Sequence, residues 1–369
     1  MSKILAIDTS CDDSSAAVVD GTAVLSNIVA SQAQIHKAYG GVFPTLAKQA
    51  HKENLPAAVH AALVRARVDW PEIAAIAVTV GPGLAPALEV GIAYAKDLSA
   101  LHRKPLIGVN HIEAHALSPL ARVKTNNLDK SIKFPVLAIV ISGGHSEFIL
   151  IEKIGQYRKL GRTIDDAAGE CLDKVGRLLN LGYPAGPLLE KFAKQGQCGR
   201  FVFPKAMLGQ SNFDLSYSGL KTAARTLIQK LEEENKLNKQ SIFDFACDLQ
   251  RAVFDQITYK LERILLSPDL DQAVYPSRHF LKHLTAANTP VSPINEIWLG
   301  GGVAANIALR QALRATLRKY AKQSGKKIPL RVPYHKRLCG DNAAMIGLVA
   351  SFKSTDGNSN LERQPNLSI

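Results

Sequence analysis

His111 and His115 stand one helical turn apart in Asn110-His111-Ile112-Glu113-Ala114-His115, just after the apolar run Leu106-Ile107-Gly108-Val109. An i,i+4 spacing puts both imidazoles on one helix face, where two neutral ring nitrogens are a ready pair of ligands for zinc or iron. Such a pair still needs at least one more donor, usually a carboxylate, and an open position. It is not the zincin motif, because Ile112 occupies the place of that motif's general-base Glu. Asn110 is a good N-cap and Glu113 has the capping-box spacing, so the pair is expected where a strand ends and a helix begins. Asp341, in Cys339-Gly340-Asp341-Asn342, is a candidate for the missing carboxylate and equally for the N-cap of the last helix, two roles that compete for the same oxygens.

Glycine supplies the second kind of chemistry. Ser142-Gly143-Gly144-His145-Ser146 follows the apolar run 136–141, and Gly300-Gly301-Gly302-Val303-Ala304-Ala305-Asn306 follows Ile297-Trp298-Leu299. Bare amides at such turns attract phosphate or let a flat base approach the main chain, although a tight strand-to-helix turn needs no ligand. Neither cluster is a Walker A or a Rossmann fingerprint.

The elements that must hold these residues show a repeat. Ile4-Leu5-Ala6-Ile7, an acidic turn from Asp8 to Asp13 and Ala16-Ala17-Val18-Val19 read as two strands around a polar loop. The figure returns 132 residues on, where Leu5, Ala6, Ile7, Ser10 and Ser14 each meet an identical residue. A strand, polar turn and returning strand in each half is how two-lobed nucleotide-binding folds of the actin and hexokinase type present phosphate loops. Between the hairpins, helical spacing over 32–67, a strand over 73–80, a helix over 85–102 and the strand before His111 indicate a mostly parallel α/β layer. His36 and His51 on the first of these segments are expected at the surface or facing a partner. The stretch 267–293 looks like a surface insertion, and 353–369 like a mobile polar tail.

Composition narrows the class. The chain has 369 residues, 46% hydrophobic and 21% charged, enough for two cores in an ordinary soluble protein. The start lacks an h-region and no run approaches a membrane span, so a cytoplasmic protein is expected. Five scattered cysteines without a CxxC suggest a reducing compartment and no disulfide framework. The net charge of +13 favours an anionic partner, and Ile297 to Gly340 holds ten Lys and Arg with no Asp or Glu. Arg310, Arg314 and Arg318 form one stripe there, suited to a solvated helix face or a nucleic-acid backbone.

Asp8-Thr9-Ser10-Cys11-Asp12-Asp13, Ser31-Gln32 with His36 and Tyr39-Gly40-Gly41-Val42, Gly81-Pro82-Gly83-Leu84, the histidine pair, Ser142-Gly143-Gly144-His145, Asp165-Asp166-Ala167-Ala168-Gly169-Glu170, Ser216-Tyr217-Ser218-Gly219-Leu220-Lys221, Gly301-Gly302-Val303-Ala304-Ala305-Asn306 and Asp341-Asn342 stand in one order. In that order, over about residues 3 to 350, the chain resembles the TsaD family, the tRNA N6-adenosine threonylcarbamoyltransferases. The resemblance implies an α/β, two-lobed actin-like ATPase (ASKHA) fold with duplicated α/β lobes around a nucleotide cleft. The expected lobes are 1–118, completed by a helix over 341–353, and 119–340 with the insertion 267–293, followed by the tail 354–369.

It also implies transfer of threonylcarbamoyl from threonylcarbamoyl-AMP to N6 of adenosine 37 in tRNAs that read codons beginning with A. His111, His115 and Asp341 then become ligands of Fe2+ or Zn2+. Val140, Ile141, Ser142, Gly143 and Gly144 line the adenylate's phosphate side, and Asp173, Gly186, Asn306 and Glu190 hold its nucleoside, a cleft that ATP or ADP would also fit. Asp12 and Asp13 are candidates for proton handling or tRNA-side electrostatics. Implied partners are the tRNA anticodon loop and, in bacteria, a TsaB-like paralogue and a TsaE-like ATPase; a chain acting alone would suit a homodimer. Asp8 and Asp13 where the family has Glu, Ala185 for a Gly and Gly340 for a Thr depart from its pattern. A metallopeptidase and a non-catalytic nucleotide-binding scaffold are the rival classes, opposed respectively by Ile112 with the glycine turns and by the intact ligand set.

Overall fold

The computed structural model describes residues 3–37, 39–123, 132–205, 207, 210, 212–267, 270, 289–353 and 361–369. The chain divides into two compact units, one of Met1–Ile132 with Val332–Ile369 and one of Lys133–Arg331.

In the first unit β1 (Lys3–Asp8), β2 (Asp13–Asp20) and β3 (Ala23–Ser31) form an antiparallel meander, with α1 (Ala33–Lys37) and α2 (Pro44–Ala66) following. Strand β4 (Ile73–Gly81), helix α3 (Ala85–His102), strand β5 (Leu106–Asn110) and helix α4 (His111–Leu117) complete the N-terminal part, and β4 and β5 add to β1 in parallel. The sheet order is β3-β2-β1-β4-β5. The central β1 and β4 read as continuous apolar runs because both of their faces are covered. On one side Leu55, Val59 and Leu63 of α2 and Val90, Ile92 and Leu98 of α3 pack on Leu5, Ile7, Val18, Ile76 and Val78. Each such side chain contributes roughly 1.5–3 kcal/mol when fully buried. The terminal helix Ala343–Ala350 is buried over all its residues. A Cβ at Gly347 would stand 2.7 Å from Val19 Cγ2, so glycine lets that helix approach the sheet.

The second unit repeats the plan. It comprises β6 (Val136–Ile141), β7 (Ser146–Lys153), β8 (Gln156–Arg162), α5 (Ala168–Leu178), α6 (Gly186–Ala193), α7 (Ser218–Glu233), α8 (Lys239–Leu265), β9 (Glu296–Gly300), α9 (Ile307–Ser324) and β10 (Leu330–Arg331). Its order, β10-β9-β6-β7-β8, is the first order read from the other edge. The hairpin registers coincide as well: Ile7 faces Ala16, and Ile139 faces Phe148, each 132 positions further on. This is the duplicated α/β, actin-like architecture expected from the repeat. In α9, Leu309, Leu313 and Leu317 are buried while Arg314 and Arg318 are exposed, as the stripe pattern requires. The terminal helix Ala343–Ala350 is hereafter α10.

Three expectations need correction. His36 and His51 are not at the surface but wholly buried, because polar partners from β2 and the segment after β3 wait for them inside. Residues 361–369 do not hang free. Gln364 N donates to Val80 O at 2.7 Å, Gly83 N to Pro365 O at 3.1 Å, Arg363 pairs with Glu89 at 3.0 Å, and Leu361 and Leu367 pack on the core. Those two leucines gain burial that the polar average of the segment conceals. Finally, Cys198 and Cys247 form a disulfide with Cα atoms 5.2 Å apart. The loop after α6 is drawn to α8 because Asp244 accepts from Gln197 N at 2.9 Å and Asp248 from Gly199 N at 2.7 Å, from Arg200 N at 3.0 Å and from Phe201 N at 2.8 Å. Most of the expected insertion 267–293, and residues 354–360 of the tail, lie outside the described residues. Among the described residues no helix is long and apolar enough to cross a membrane.

Candidate metal centre and phosphate-binding turns

Asn110 ends β5 and caps α4: its Oδ1 accepts from Ile112 N at 2.8 Å and Glu113 N at 3.1 Å. Glu113 has the capping-box spacing, and its carboxylate pairs with Lys353 at 3.1 Å. Capping at Asn110 sets His111 and His115 on one face, their rings edge to face with centroids 4.5 Å apart. The N-cap of α10 is Asn342, which accepts from Met345 N at 3.3 Å. Asp341 is thereby released from capping, and its Oδ1 lies 3.1 Å from His115 Nε2 and 3.5 Å from His111 Nε2.

The ligand atoms of these three residues all lie within 4.8 Å of one another. Two imidazoles and one carboxylate suit Fe2+ or Zn2+ and leave coordination positions open. Both histidines are buried and the Asp341 side chain is 25% exposed, so access runs past the carboxylate. Burial opposes a charged His111, yet Asp341 and Asp8 outweigh it and hold its pKa up. Burial and the neighbouring His111 push His115 down. Burial also opposes ionised Asp341, but the two histidines hold its carboxyl well below the usual carboxylate range.

Asp8, which opens the acidic turn and was not among the candidate site residues, stands behind this group. It is fully buried, accepts from Thr79 Oγ1 at 2.7 Å and Ser10 N at 3.1 Å, and places Oδ1 3.8 Å from His111 Nδ1. A carboxylate behind a ligating histidine orients the ring and raises its basicity. The turn between β1 and β2 brings Asp12 and Asp13 near the same charges. Burial pushes the Asp13 carboxyl up to about 7 against a hydrogen bond from Ser31, with Asp12, Asp341 and Asp8 adding repulsion. Burial likewise raises Asp12.

In the second unit the glycine turns meet. Gly301 has φ 89°, and a Cβ there would stand 2.3 Å from Ile141 O; at Gly169 it would stand 2.6 Å from Ser142 O. These contacts gather Ser142 to Gly144, the start of α5 and the turn after β9. Within the turn Ser142 N donates to His145 O at 2.7 Å and His145 N to Ser142 Oγ at 3.0 Å, while Gly143 and Gly144 are exposed. Val140 and Ile141 are wholly buried in β6, so only their main chain can meet a ligand. Asp173 Oδ1 accepts from Gly186 N at 2.9 Å, and Glu190 Oε1 accepts from Ile307 N at 3.2 Å. Asn306 caps α9 through Ala308 N at 2.9 Å and donates to Gln250 Oε1 at 2.8 Å. Gln250 is a supporting residue that nothing in the local pattern of α8 announces. Two distant motifs also join: Asp165 accepts from Tyr217 N at 2.7 Å, and Lys221 pairs with Asp166 at 2.6 Å.

The profile of the family described as TsaD, tRNA N6-adenosine threonylcarbamoyltransferase, matches residues 23–348. A protein of that name from Clostridium perfringens is 41% identical over 372 aligned residues, covering 99% of this chain and 98% of its own. Another of that name from Methylorubrum populi is 42% identical, covering 93% of this chain and 90% of its own. Among solved structures, component A of the (R)-2-hydroxyglutaryl-CoA dehydratase of Acidaminococcus fermentans aligns with TM-score 0.47 and 12% identity, over 96% of this chain and 100% of that one. On the sequence relatives and the family profile, this chain belongs to the TsaD family, the tRNA N6-adenosine threonylcarbamoyltransferases.

Proposed function

We propose that the chain transfers the threonylcarbamoyl group of threonylcarbamoyl-AMP to N6 of adenosine 37 in tRNAs reading codons that begin with A, releasing AMP. The observation that carries this reading is the meeting of His111, His115 and Asp341 in a chain that matches the family over nearly its full length. The amine nitrogen attacks the carbamoyl carbon, a C–N bond forms, the C–O bond to the phosphate breaks, and the amine proton passes to a base. An exocyclic adenine amine is a weak nucleophile, so holding the two reactants in line supplies much of the acceleration.

His111, His115 and Asp341 would hold one divalent ion, Fe2+ in our reading with Zn2+ as the alternative. Bound there, the ion supplies Lewis-acid polarisation of the carbamoyl carbonyl. Asp13, whose carboxyl sits near 7, suits acceptance of the amine proton at neutral pH, and Asp12 adds negative potential beside it. The main chain at Val140 and Ile141, Ser142 and the open amides of Gly143 and Gly144 bind the phosphate and stabilise it as it departs. Asp173, Gly186, Glu190 and Asn306 hold the nucleoside, a place ATP or ADP would also take.

The substrate base must leave its stack in the anticodon loop, and the exposed Arg314 and Arg318 offer one hold on the tRNA backbone. A TsaB-like paralogue and a TsaE-like ATPase are the companions we infer for a bacterial chain, a homodimer for one acting alone, and the cytoplasm as the compartment. The test is single-turnover transfer from radiolabelled threonylcarbamoyl-AMP to unmodified tRNA, with metal-loaded protein, comparing wild type and His111→Ala in the presence of the companions. Product from wild type that is lost in His111→Ala supports transferase and metal together. Equal product from both would overturn the metal-centred mechanism, and none from either would overturn the activity.

A further inference from the structure

Behind the acidic turn lies a line of buried polar side chains that neither the metal nor the nucleotide reading uses. Ser14, Gln32, His36 and His51 are each wholly buried. Phe43 N lies 3.3 Å from His36 Nδ1, His36 Nε2 3.1 Å from Gln32 Oε1, Gln32 Nε2 3.4 Å from Ser14 Oγ, Ser14 Oγ 2.8 Å from His51 Nδ1, and His51 Nε2 3.0 Å from Cys11 O.

The direction of every proton in this line is forced. Phe43 N–H can only donate, so His36 Nδ1 is bare and its Nε2 carries the hydrogen. Ala47 O can only accept, and it lies 3.5 Å from Gln32 Nε2, which fixes the amide with Oε1 towards His36. At the other end Cys11 O can only accept, so His51 Nε2 donates. Burial lowers the His51 pKa, keeping the ring neutral, and its Nδ1 then accepts from the Ser14 hydroxyl. Each group donates one way and accepts from the other, from the Phe43 amide to the Cys11 carbonyl. Polar chains aligned in this manner polarise one another and resist rearrangement. A second tie runs alongside: Gln32 N donates to Asp12 O at 3.1 Å.

We propose that His51 and His36, through Ser14 and Gln32, are positioning residues for the transfer reaction: their one-way chain of hydrogen bonds fixes the backbone at Cys11 and so aims the Asp12 and Asp13 carboxylates. The proposal rests on the role given above to those two carboxylates. None of the four side chains touches substrate in this scheme. Their effect passes through the main chain of the turn, where a displacement near 1 Å is enough to cost on the order of 100-fold in rate.

Two measurements on the full-length, zinc-loaded protein test it. In 15N-histidine NMR at neutral pH, His36 and His51 are expected as neutral Nε2–H tautomers; an Nδ1–H tautomer or an imidazolium at His51 overturns the chain. In transfer kinetics, His51→Phe is expected to lower kcat about 100-fold with KM for tRNA and zinc content unchanged, and His51→Gln, which retains an N–H donor, to recover most of it. Ser14→Ala removes a single hydroxyl, so it serves if His51→Phe does not fold; its kcat is expected to fall about tenfold. Wild-type kcat in His51→Phe or Ser14→Ala, with Asp12→Asn and Asp13→Asn inactive, overturns the positioning role and leaves the acidic turn's role standing. Wild-type kcat in both Asp variants overturns the turn's role, and the positioning role with it.

Discussion

Asp8 Oδ1 lies 3.8 Å from Nδ1 of His111, the ring nitrogen that Asp341 does not face. His111 is thus set between two carboxylates, one among the candidate ligand atoms and one behind. Asp8→Asn keeps an oxygen for Thr79 and Ser10 N but removes the charge. It is expected to weaken metal affinity about 10- to 100-fold with little change in fold, as read by competition against a chelator. Unchanged affinity would remove Asp8 from the metal's support.

The Asp13 carboxyl, raised to about 7 chiefly by burial, gives a pH dependence of defined sign. The folded state holds this proton more tightly than the unfolded state, whose carboxyl titrates at 3.8. Stability from the group is therefore complete below the unfolded value and declines as pH rises through about 7. In metal-free protein, Asp13→Asn should match wild type at the acid end of this window and be more stable at its alkaline end. Urea midpoints of the pair across the window measure the difference. Metal loading should shrink it, because a nearby cation favours the ionised carboxylate.

Gly301→Ala asks the chain to place a methyl group 2.3 Å from Ile141 O at φ 89°. Backbone strain and the clash with a main-chain oxygen are expected to cost more than about 2 kcal/mol and to part the two glycine turns. The checks are the urea midpoint and calorimetric binding of AMP, expected to weaken at least about tenfold, or 1.4 kcal/mol.

The Cys198–Cys247 bond closes a span of 49 residues. Cys198→Ser, or dithiothreitol on wild type, is expected to lower unfolding free energy by about 2–4 kcal/mol, and the two effects should not add. A larger loss in Cys198→Ser than on reduction would point to packing of the sulfur rather than the cross-link.

Local patterns carried much of this structure. The duplicated hairpins and the histidine pair were legible because spacing along one strand or helix decides which side chains share a face. Which residue caps the last helix was not, since it turned on which of two adjacent side chains, Asp341 or Asn342, reaches Met345 N. His36 and His51 were misplaced at the surface for a related reason: a buried polar side chain is tolerated when its partners are present, and Ser14 and Gln32 arrive from other elements. The cysteine pair, 49 residues apart, follows no spacing rule, and the docking of 361–369 hangs on two leucines in a polar run. Each of these is a long-range contact whose stabilisation no window of neighbouring residues contains.

The first unit is built from both ends of the chain, Met1–Ile132 and Val332–Ile369. During synthesis, then, the ribosome delivers His111 and His115 some two hundred residues before Asp341, with the whole second unit emerging in between. A chain made only that far has the two histidines but not the third candidate ligand, and its sheet lacks α10 over its face. An ion held by all three side chains would have to wait until Asp341 had been made. Any fragment truncated before Asp341 carries the histidine pair without the carboxylate that faces it.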